Sequence, residues 1–255
     1  MKRATWAQAT ILGGLCALAA ACSGPPADDP RPDAAAAQHG WTRTPAIHAV
    51  RTSADALVFS GAAEPGARVV LRSAAGEAYA AVAGDDGRFE IPVPRPRGAL
   101  LLRPETQVGQ EGAESPDRLV ILDGGRGPVA VLRAGGAAVR LDGGALLGAI
   151  DSDGRATLAS GRSATPDRPV EVTANGAVLR VRSLADGSWS AMIDAAPGDV
   201  VTVDGRDYRW PAAPAVGEAA DGDLIAARAG DGWAVRWSGP SGARQTTWLP
   251  DVAPA

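Results

Sequence analysis

Few side chains in this chain could act in catalysis or bind a metal, because its 255 residues include only 2 histidines and 2 cysteines. His39 lies in a proline-rich segment, and His48 opens the first predicted strand. A histidine-activated nucleophile or a zinc site needs several such side chains close together. The sequence therefore predicts a protein that is not an enzyme, with no catalytic residue, no metal site and no cofactor.

One short segment, Asp151-Ser152-Asp153-Gly154, has the spacing with which calcium-binding loops begin. A complete loop also needs later oxygen ligands and a bidentate glutamate, and these do not follow here. Aspartate and glycine are equally typical of tight turns. We therefore expect a turn at this position and no metal.

The tryptophans are concentrated in the second half of the chain. Trp233 and Trp237 flank Val235 on an alternating segment, so all three side chains are predicted to lie on one face of a strand. Two interpretations stay open: these rings belong to the core, or they form an exposed platform that stacks on sugars or on a partner protein. Trp233 and Trp237 are accordingly the candidate ligand-binding residues, with Arg236 on the opposite face.

The beginning of the chain has the features of an export signal. Lys2 and Arg3 precede a small-residue and apolar stretch over residues 9–21, which is shorter than the roughly 20 residues of a membrane-spanning helix. The stretch ends in small residues followed by Cys22. This pattern resembles the bacterial lipoprotein signal. The resemblance implies a signal peptide over 1–21 and a mature N-terminus at a lipidated Cys22.

Residues 22–44 are rich in proline, alanine and aspartate, and we expect them to form a flexible tether. The lipoprotein resemblance implies that the lipid bilayer is a partner, held through acyl chains such as palmitate on Cys22. Ser23 follows that cysteine, where an aspartate would favour the inner membrane. The expected location is therefore the bacterial cell envelope, at the outer membrane and facing the periplasm or the surface.

The rest of the sequence is two copies of one unit, offset by 100 residues. Ser60-Gly61 aligns with Ser160-Gly161, and Phe89 aligns with Trp189. In each copy about seven short apolar segments alternate with glycine and proline turns, which is typical of a β-sandwich. The predicted fold is all-β, with two tandem Ig-like β-sandwich domains over 45–140 and 141–250. Each copy is expected to end in a further hairpin.

A family resemblance supports this fold. The segment Ser60–Leu71 and the following Ala83–Phe89 resemble the bacterial Ig-like modules of surface and adhesive proteins. The second copy has Thr165-Pro166-Asp167 where the first has a Pro-Gly turn, so the pattern is weaker there. The resemblance implies a role in structure or recognition. A transthyretin-like arrangement of the strands stays open as an alternative.

A net charge of −4 argues against a nucleic-acid-binding protein, which needs a clustered basic face. We predict a non-enzymatic, lipid-anchored cell-envelope protein with a structural or protein-interaction role, whose partner is an envelope protein or a glycan. The alternative is a carbohydrate- or peptidoglycan-binding module that uses the tryptophans of the second domain.

Overall fold

The computed structural model describes residues 42–143, 145–212, 219–221, 224–239 and 242–252. The predicted signal peptide, Cys22 and most of the predicted tether lie outside the described residues. Strands of the first copy are β1 (Ala46–Thr52), β2 (Ala56–Ala62), β3 (Arg68–Ser73), β4 (Ala78–Val82), β5 (Arg88–Pro94), β6 (Leu100–Val108), β7 (Glu111–Glu114), β8 (Arg118–Ile121), β9 (Val129–Leu132) and β10 (Val139–Arg140). A short 3-10 turn, Asp123–Gly125, lies between β8 and β9.

The second copy is also built from strands. These are β11 (Ala149–Ser152), β12 (Thr157–Arg162), β13 (Pro169–Ala174), β14 (Ala177–Arg182), β15 (Ser188–Ile193), β16 (Val200–Val203), β17 (Arg206–Arg209), β18 (Ala219–Asp221), β19 (Leu224–Arg228), β20 (Gly232–Ser238) and β21 (Arg244–Pro250). No α-helix occurs among the described residues.

The strands form four sheets. The first sheet has the order β1-β2-β5, and the second has the order β10-β9-β8-β6-β3-β4, with β7 paired to β6. The third sheet has the order β15-β12-β11-β21-β20-β19-β18, and the fourth has the order β14-β13-β16-β17. The first and second sheets make one sandwich, and the third and fourth make another. The predicted all-β fold with two Ig-like sandwiches is therefore confirmed.

The internal repeat has a simple structural meaning. Strands β11 to β16 begin within three residues of the positions that lie 100 residues beyond the starts of β1 to β6. The pairing is conserved as well, because β2 lies between β1 and β5, while β12 lies between β11 and β15. The two copies therefore share one plan for their first six strands.

Gly61 and Gly161 show why some residues recur in both copies. A Cβ atom on Gly61 would collide with the carbonyl oxygen of Ala46, and one on Gly161 with that of Leu146. The aromatic ring of the next strand lies over each glycine, and the Trp189 indole N–H donates to the Leu146 carbonyl at 3.0 Å. Close packing of backbone and ring, with no space for a side chain, fixes glycine at both positions.

The last hairpins of the two copies differ. Strands β8 and β9 form the first hairpin, and β19 and β20 form the second, at the positions expected from the sequence. The β8–β9 hairpin extends the sheet that contains β3 and β6. The second hairpin instead continues through β21 onto β11, so it extends the opposite sheet of its sandwich. The two hairpins, equivalent by sequence, are not equivalent in the fold.

This difference creates a core between the two sandwiches. On β8, Leu119 and Ile121 face the core of the first sandwich, while Val120 faces the third sheet, as does Leu122 directly after the strand. The buried members of this shared core come from both copies: Val120, Leu122, Ala130, Leu132, Ala138, Ala149, Leu224, Val235, Trp237 and Leu249. The four sheets therefore stack in succession, and the chain from residue 41 onward forms one compact unit.

We predict that the two sandwiches unfold together. Trp237→Ala should lower the free energy of unfolding by about 3–5 kcal/mol, because it removes a large ring from the shared core. Trp237→Phe should cost less, since it keeps an aromatic ring and removes an indole N–H that has no hydrogen-bond partner among the described residues. Urea unfolding followed by circular dichroism measures both. Two separate transitions in the unmodified chain would contradict a shared core.

Candidate functional site

Both tryptophans predicted to bind a ligand lie at the shared core, on one face of β20. Trp237 is only 2% exposed and lies inside the shared core. Trp233 is half-buried against the same core, with the Arg228 guanidinium 5.3 Å from the centre of its ring. Arg228 is in turn held by Asp251 through hydrogen bonds of 2.9 and 2.6 Å. Trp237 is therefore a packing residue, and Trp233 is not an open platform, because Arg228 lies over its half-buried ring.

The turn predicted at residues 151–154 is displaced, because Asp151 and Ser152 still belong to β11 and the chain bends at residues 154–155. Both carboxylates of this segment already have partners. Asp153 is exposed, and its Oδ1 accepts hydrogen bonds of 2.8 Å from the backbone N–H groups of Arg155 and Ala156. These bonds lower the pKa of Asp153, that to Ala156 most strongly. Across the described ranges no group of three or more His, Cys, Asp or Glu side chains is placed to hold a metal ion.

Asp151 has a different environment, because it is buried between the two sandwiches. Its Oδ2 accepts from the Ala138 backbone N–H at 2.7 Å, and its Oδ1 accepts from the Thr247 hydroxyl at 2.6 Å. Burial raises the pKa of Asp151 to about 6, although these two hydrogen bonds act in the opposite direction. The carboxylate thus connects the segment before β10 with β11 and β21. Because its charged form is buried, the free energy of this contact depends on pH.

The raised pKa of Asp151 predicts a pH-dependent stability. Since the folded pKa of about 6 exceeds the ordinary 3.8, the contribution of Asp151 is complete below about pH 4 and is lost as the pH rises through 6. The loss should be about 3 kcal/mol. Asp151→Asn should remove this part of the pH dependence, which urea unfolding between pH 4 and 7.5 measures.

Asp153→Asn is the matched control for this titration, because Asp153 is exposed and its pKa is lowered rather than raised. It should retain the loss of stability between pH 4 and 6.5. An identical pH profile for Asp151→Asn and the unmodified protein would contradict the assignment.

His48 lies exposed on β1, and the remaining residues named for chemistry, His39 and Cys22, fall outside the described residues. Gly148 occupies the corresponding place in the second copy, so His48 is not part of the repeated plan. The structure brings no other histidine or cysteine of the described ranges near it, because His48 is the sole residue of either type there.

A better candidate site lies where the third sheet extends beyond the fourth. The third sheet has seven strands and the fourth has four, so the face of β20 and β21 is only partly covered. A cavity of about 350 Å³ opens there, and we call it the tryptophan groove. Its lining includes Trp210, Trp248, Ala234, Arg236, Arg244 and Thr246.

Both aromatic rings of the tryptophan groove are firmly positioned. Trp248 is 2% exposed, and its indole N–H donates to the Ala229 carbonyl at 3.1 Å. Trp210 follows β17, and its backbone exchanges hydrogen bonds with Asp199 and Gly198. Packed rings at the base of a cavity, with polar groups at its rim, are typical of small-molecule sites.

The sequence contained part of this site. Alternation on β20 correctly places Arg236 on the face opposite Trp233 and Trp237, and this is the face that lines the groove. Trp210 and Trp248 were visible only as members of a tryptophan-rich copy. Their meeting depends on the pairing of β21 with β11 and β20, which no local sequence signal specifies.

A second cavity, of about 290 Å³, lies beside β12 and β15 and contains four arginines. Two of these are already neutralised. Arg140 binds Asp142 at 2.5 Å, and Arg162 contacts both the carbonyl and the carboxylate of Asp186. The other two, Arg133 and Arg182, form no ion pair among the described residues, so about half of the positive charge of this cavity is paired within the protein.

Comparisons with known proteins assign no family to this chain. No family model matches the chain. No curated protein sequence matches it. Among solved structures, it is similar to a chain described as "Biofilm associated protein - BSP domain", with 20% identity and a TM-score of 0.22, over 68% of this chain and 30% of that chain. The match thus spans less than a third of that chain. Because the TM-score is low, the Ig-like assignment rests on the sheets described above and not on this similarity.

The described residues contain no helix of the length and hydrophobicity needed to cross a membrane. The class of protein that the fold defines is an all-β protein built from two stacked Ig-like sandwiches.

Proposed function

We propose that this chain is a non-enzymatic, lipid-anchored protein of the bacterial cell envelope with a structural or protein-interaction role. The observation that carries the structural part is the shared core, which joins the two sandwiches through ten buried side chains. Two domains joined by a bare linker would move independently, whereas a common apolar core holds them as one body. A rigid body behind a tether suits a spacer or an assembly partner.

The proposed location in the cell envelope rests on the sequence around Cys22. Small residues precede this cysteine, and a proline-rich segment follows it. Stable anchoring takes more than one acyl chain, and a lipoprotein N-terminus supplies them. Ser23 in place of aspartate favours the outer membrane.

Cys22→Ala should therefore move the protein from the membrane fraction to the soluble fraction of the envelope, because the thiol that accepts the lipid is lost. Fractionation of cells followed by immunoblotting measures this, and labelling with radioactive palmitate checks the acylation itself. Cys16→Ala is the matched control, since Cys16 lies within the predicted signal peptide. Membrane retention of the Cys22→Ala protein would argue against lipid anchoring.

A second candidate function is carbohydrate or peptidoglycan binding, favoured by the tryptophan groove. Here the rings would be Trp210 and Trp248, which belong to the core of the second sandwich and line the cavity, whereas Trp237 belongs to the shared core and does not line it. Aromatic rings combined with a few polar groups are suited to sugar rings, which have an apolar face and a polar edge.

Binding in the groove should change the tryptophan fluorescence when glycans are titrated. Trp248→Phe should remove most of that change, because Trp248 lines the groove. Trp233→Phe is the control, since its ring lies on the opposite face of β20 against the shared core. A response that disappears with Trp233→Phe and survives Trp248→Phe would place the glycan elsewhere.

A further inference from the structure

We propose that the tryptophan groove binds an acidic glycan, in which a sugar ring carries a carboxylate that the guanidinium groups of Arg236 and Arg244 hold. This inference rests on the second candidate function and specifies its ligand. It is independent of the lipid anchor and of the structural role.

The two arginines are neighbours because of strand register. Arg236 on β20 lies directly opposite Thr246 on β21. Arg244 precedes Thr246 by two residues on the same strand, so all three side chains point to one face of the sheet. Residues diagonal to each other in an antiparallel pair lie about 7–8 Å apart, within reach of long side chains.

Both positive charges are available. Among the described residues, neither Arg236 nor Arg244 has a hydrogen bond or an ion pair with the protein. Asp153 also lines the groove, but its Oδ1 accepts from the N–H groups of Arg155 and Ala156, and it forms no ion pair with either arginine. Two like charges side by side repel each other, and an anion between them would relieve this repulsion.

The apolar lining of the tryptophan groove favours a ligand that contains a sugar ring. Trp248 and Ala234 lie on the same face as Arg236, and Trp210 closes the groove from the end of the fourth sheet. The volume of about 350 Å³ falls within the usual range of small-molecule sites, about 300–1,000 Å³. A free inorganic anion would leave the apolar wall unused, whereas a carboxylated sugar uses the wall, the Thr246 hydroxyl and both guanidinium groups.

The arginine-containing cavity beside β12 and β15 differs from the tryptophan groove. Arg140 and Arg162 are paired there with Asp142 and Asp186, so a ligand would have to displace carboxylates that the protein already supplies. Arg133 and Arg182 also line that cavity without an ion pair among the described residues, but Arg133 follows β9 of the second sheet, whereas Arg182 lies on β14 of the fourth. In the tryptophan groove, strand register sets Arg236 and Arg244 side by side, and it is therefore the site that we assign.

The test compares two oligosaccharides that differ only in charge: cellotetraose and the tetramer of β-1,4-linked glucuronate. Isothermal titration of the full chain should show binding of the acidic tetramer, with affinity that falls as salt is added. Arg236→Gln and Arg244→Gln should each weaken that binding by about tenfold or more, since each removes a charge-assisted hydrogen bond. Arg68→Gln, an exposed arginine on β3, is the matched control and should leave binding unchanged.

Each other outcome has a definite meaning. Equal binding of both tetramers, unaffected by Arg236→Gln, would overturn the acidic ligand and leave the glycan-binding function standing. Binding of neither tetramer, with circular dichroism showing a folded chain, would overturn this inference, and a blank result across a wider glycan panel would overturn the function as well. Acidic binding that is weakened by Arg182→Gln and not by Arg236→Gln would place the ligand in the other cavity and overturn the assignment.

Discussion

The fold depends on the burial of apolar side chains between the second and third sheets. Leu122 and Leu132 of the first copy meet Val235 and Trp237 of the second, in a layer of side chains that is almost completely shielded from water. Burial of this kind is the dominant favourable contribution to folding, and it does not depend on direction. It therefore sets the arrangement of the two sandwiches.

The shared core also explains why the final hairpins had to diverge. If both hairpins had joined the same sheet of their sandwiches, the apolar face of β8 and β9 would have had no partner. By joining β11, strand β21 brings β20 into the third sheet and presents Trp237 to the first copy. The same rearrangement makes the third sheet wider than the fourth, and the tryptophan groove lies where this extra width is uncovered. Rigidity and a candidate binding site thus arise from one change in topology.

Asp151 shows that this interface is not purely apolar. Its carboxylate accepts hydrogen bonds from the Ala138 N–H and from the Thr247 hydroxyl. Without Asp151, the Ala138 N–H would be a buried backbone donor with no partner. A buried donor without a hydrogen-bond partner destabilises the fold. A buried carboxylate can therefore be favourable when it accepts hydrogen bonds from such donors. The spacing that resembled the start of a calcium loop therefore contains two unrelated aspartates, one in the interface and one in a surface turn.

Much of each sandwich could be predicted from the sequence, because the signals are local. Asp86-Gly87 and Asp186-Gly187 mark tight turns through the positive φ of their glycines, and alternation placed Phe89 and Trp189 in the cores. The strands on either side of each turn belong to different sheets, so these turns connect the two sheets of a sandwich and do not form hairpins. The apolar segments Leu119–Leu122 and Val129–Leu132 indicated a hairpin, and the structure buries both faces of its strands. What those second faces would contact was not encoded locally.

The sequence by itself determined the strands, the turns and the repeated plan, since these follow from residue types within a few positions of each other. Only the tertiary structure decided which sheet each last hairpin joins, and with it the fate of the tryptophans. Trp233 and Trp237 share a face by alternation, but long-range strand pairing turned that face toward the other sandwich. The same pairing brought Trp210, Trp248, Arg236 and Arg244 together. Contacts between residues far apart in sequence depend on the sum of buried surface over the whole fold, and no short segment carries that information.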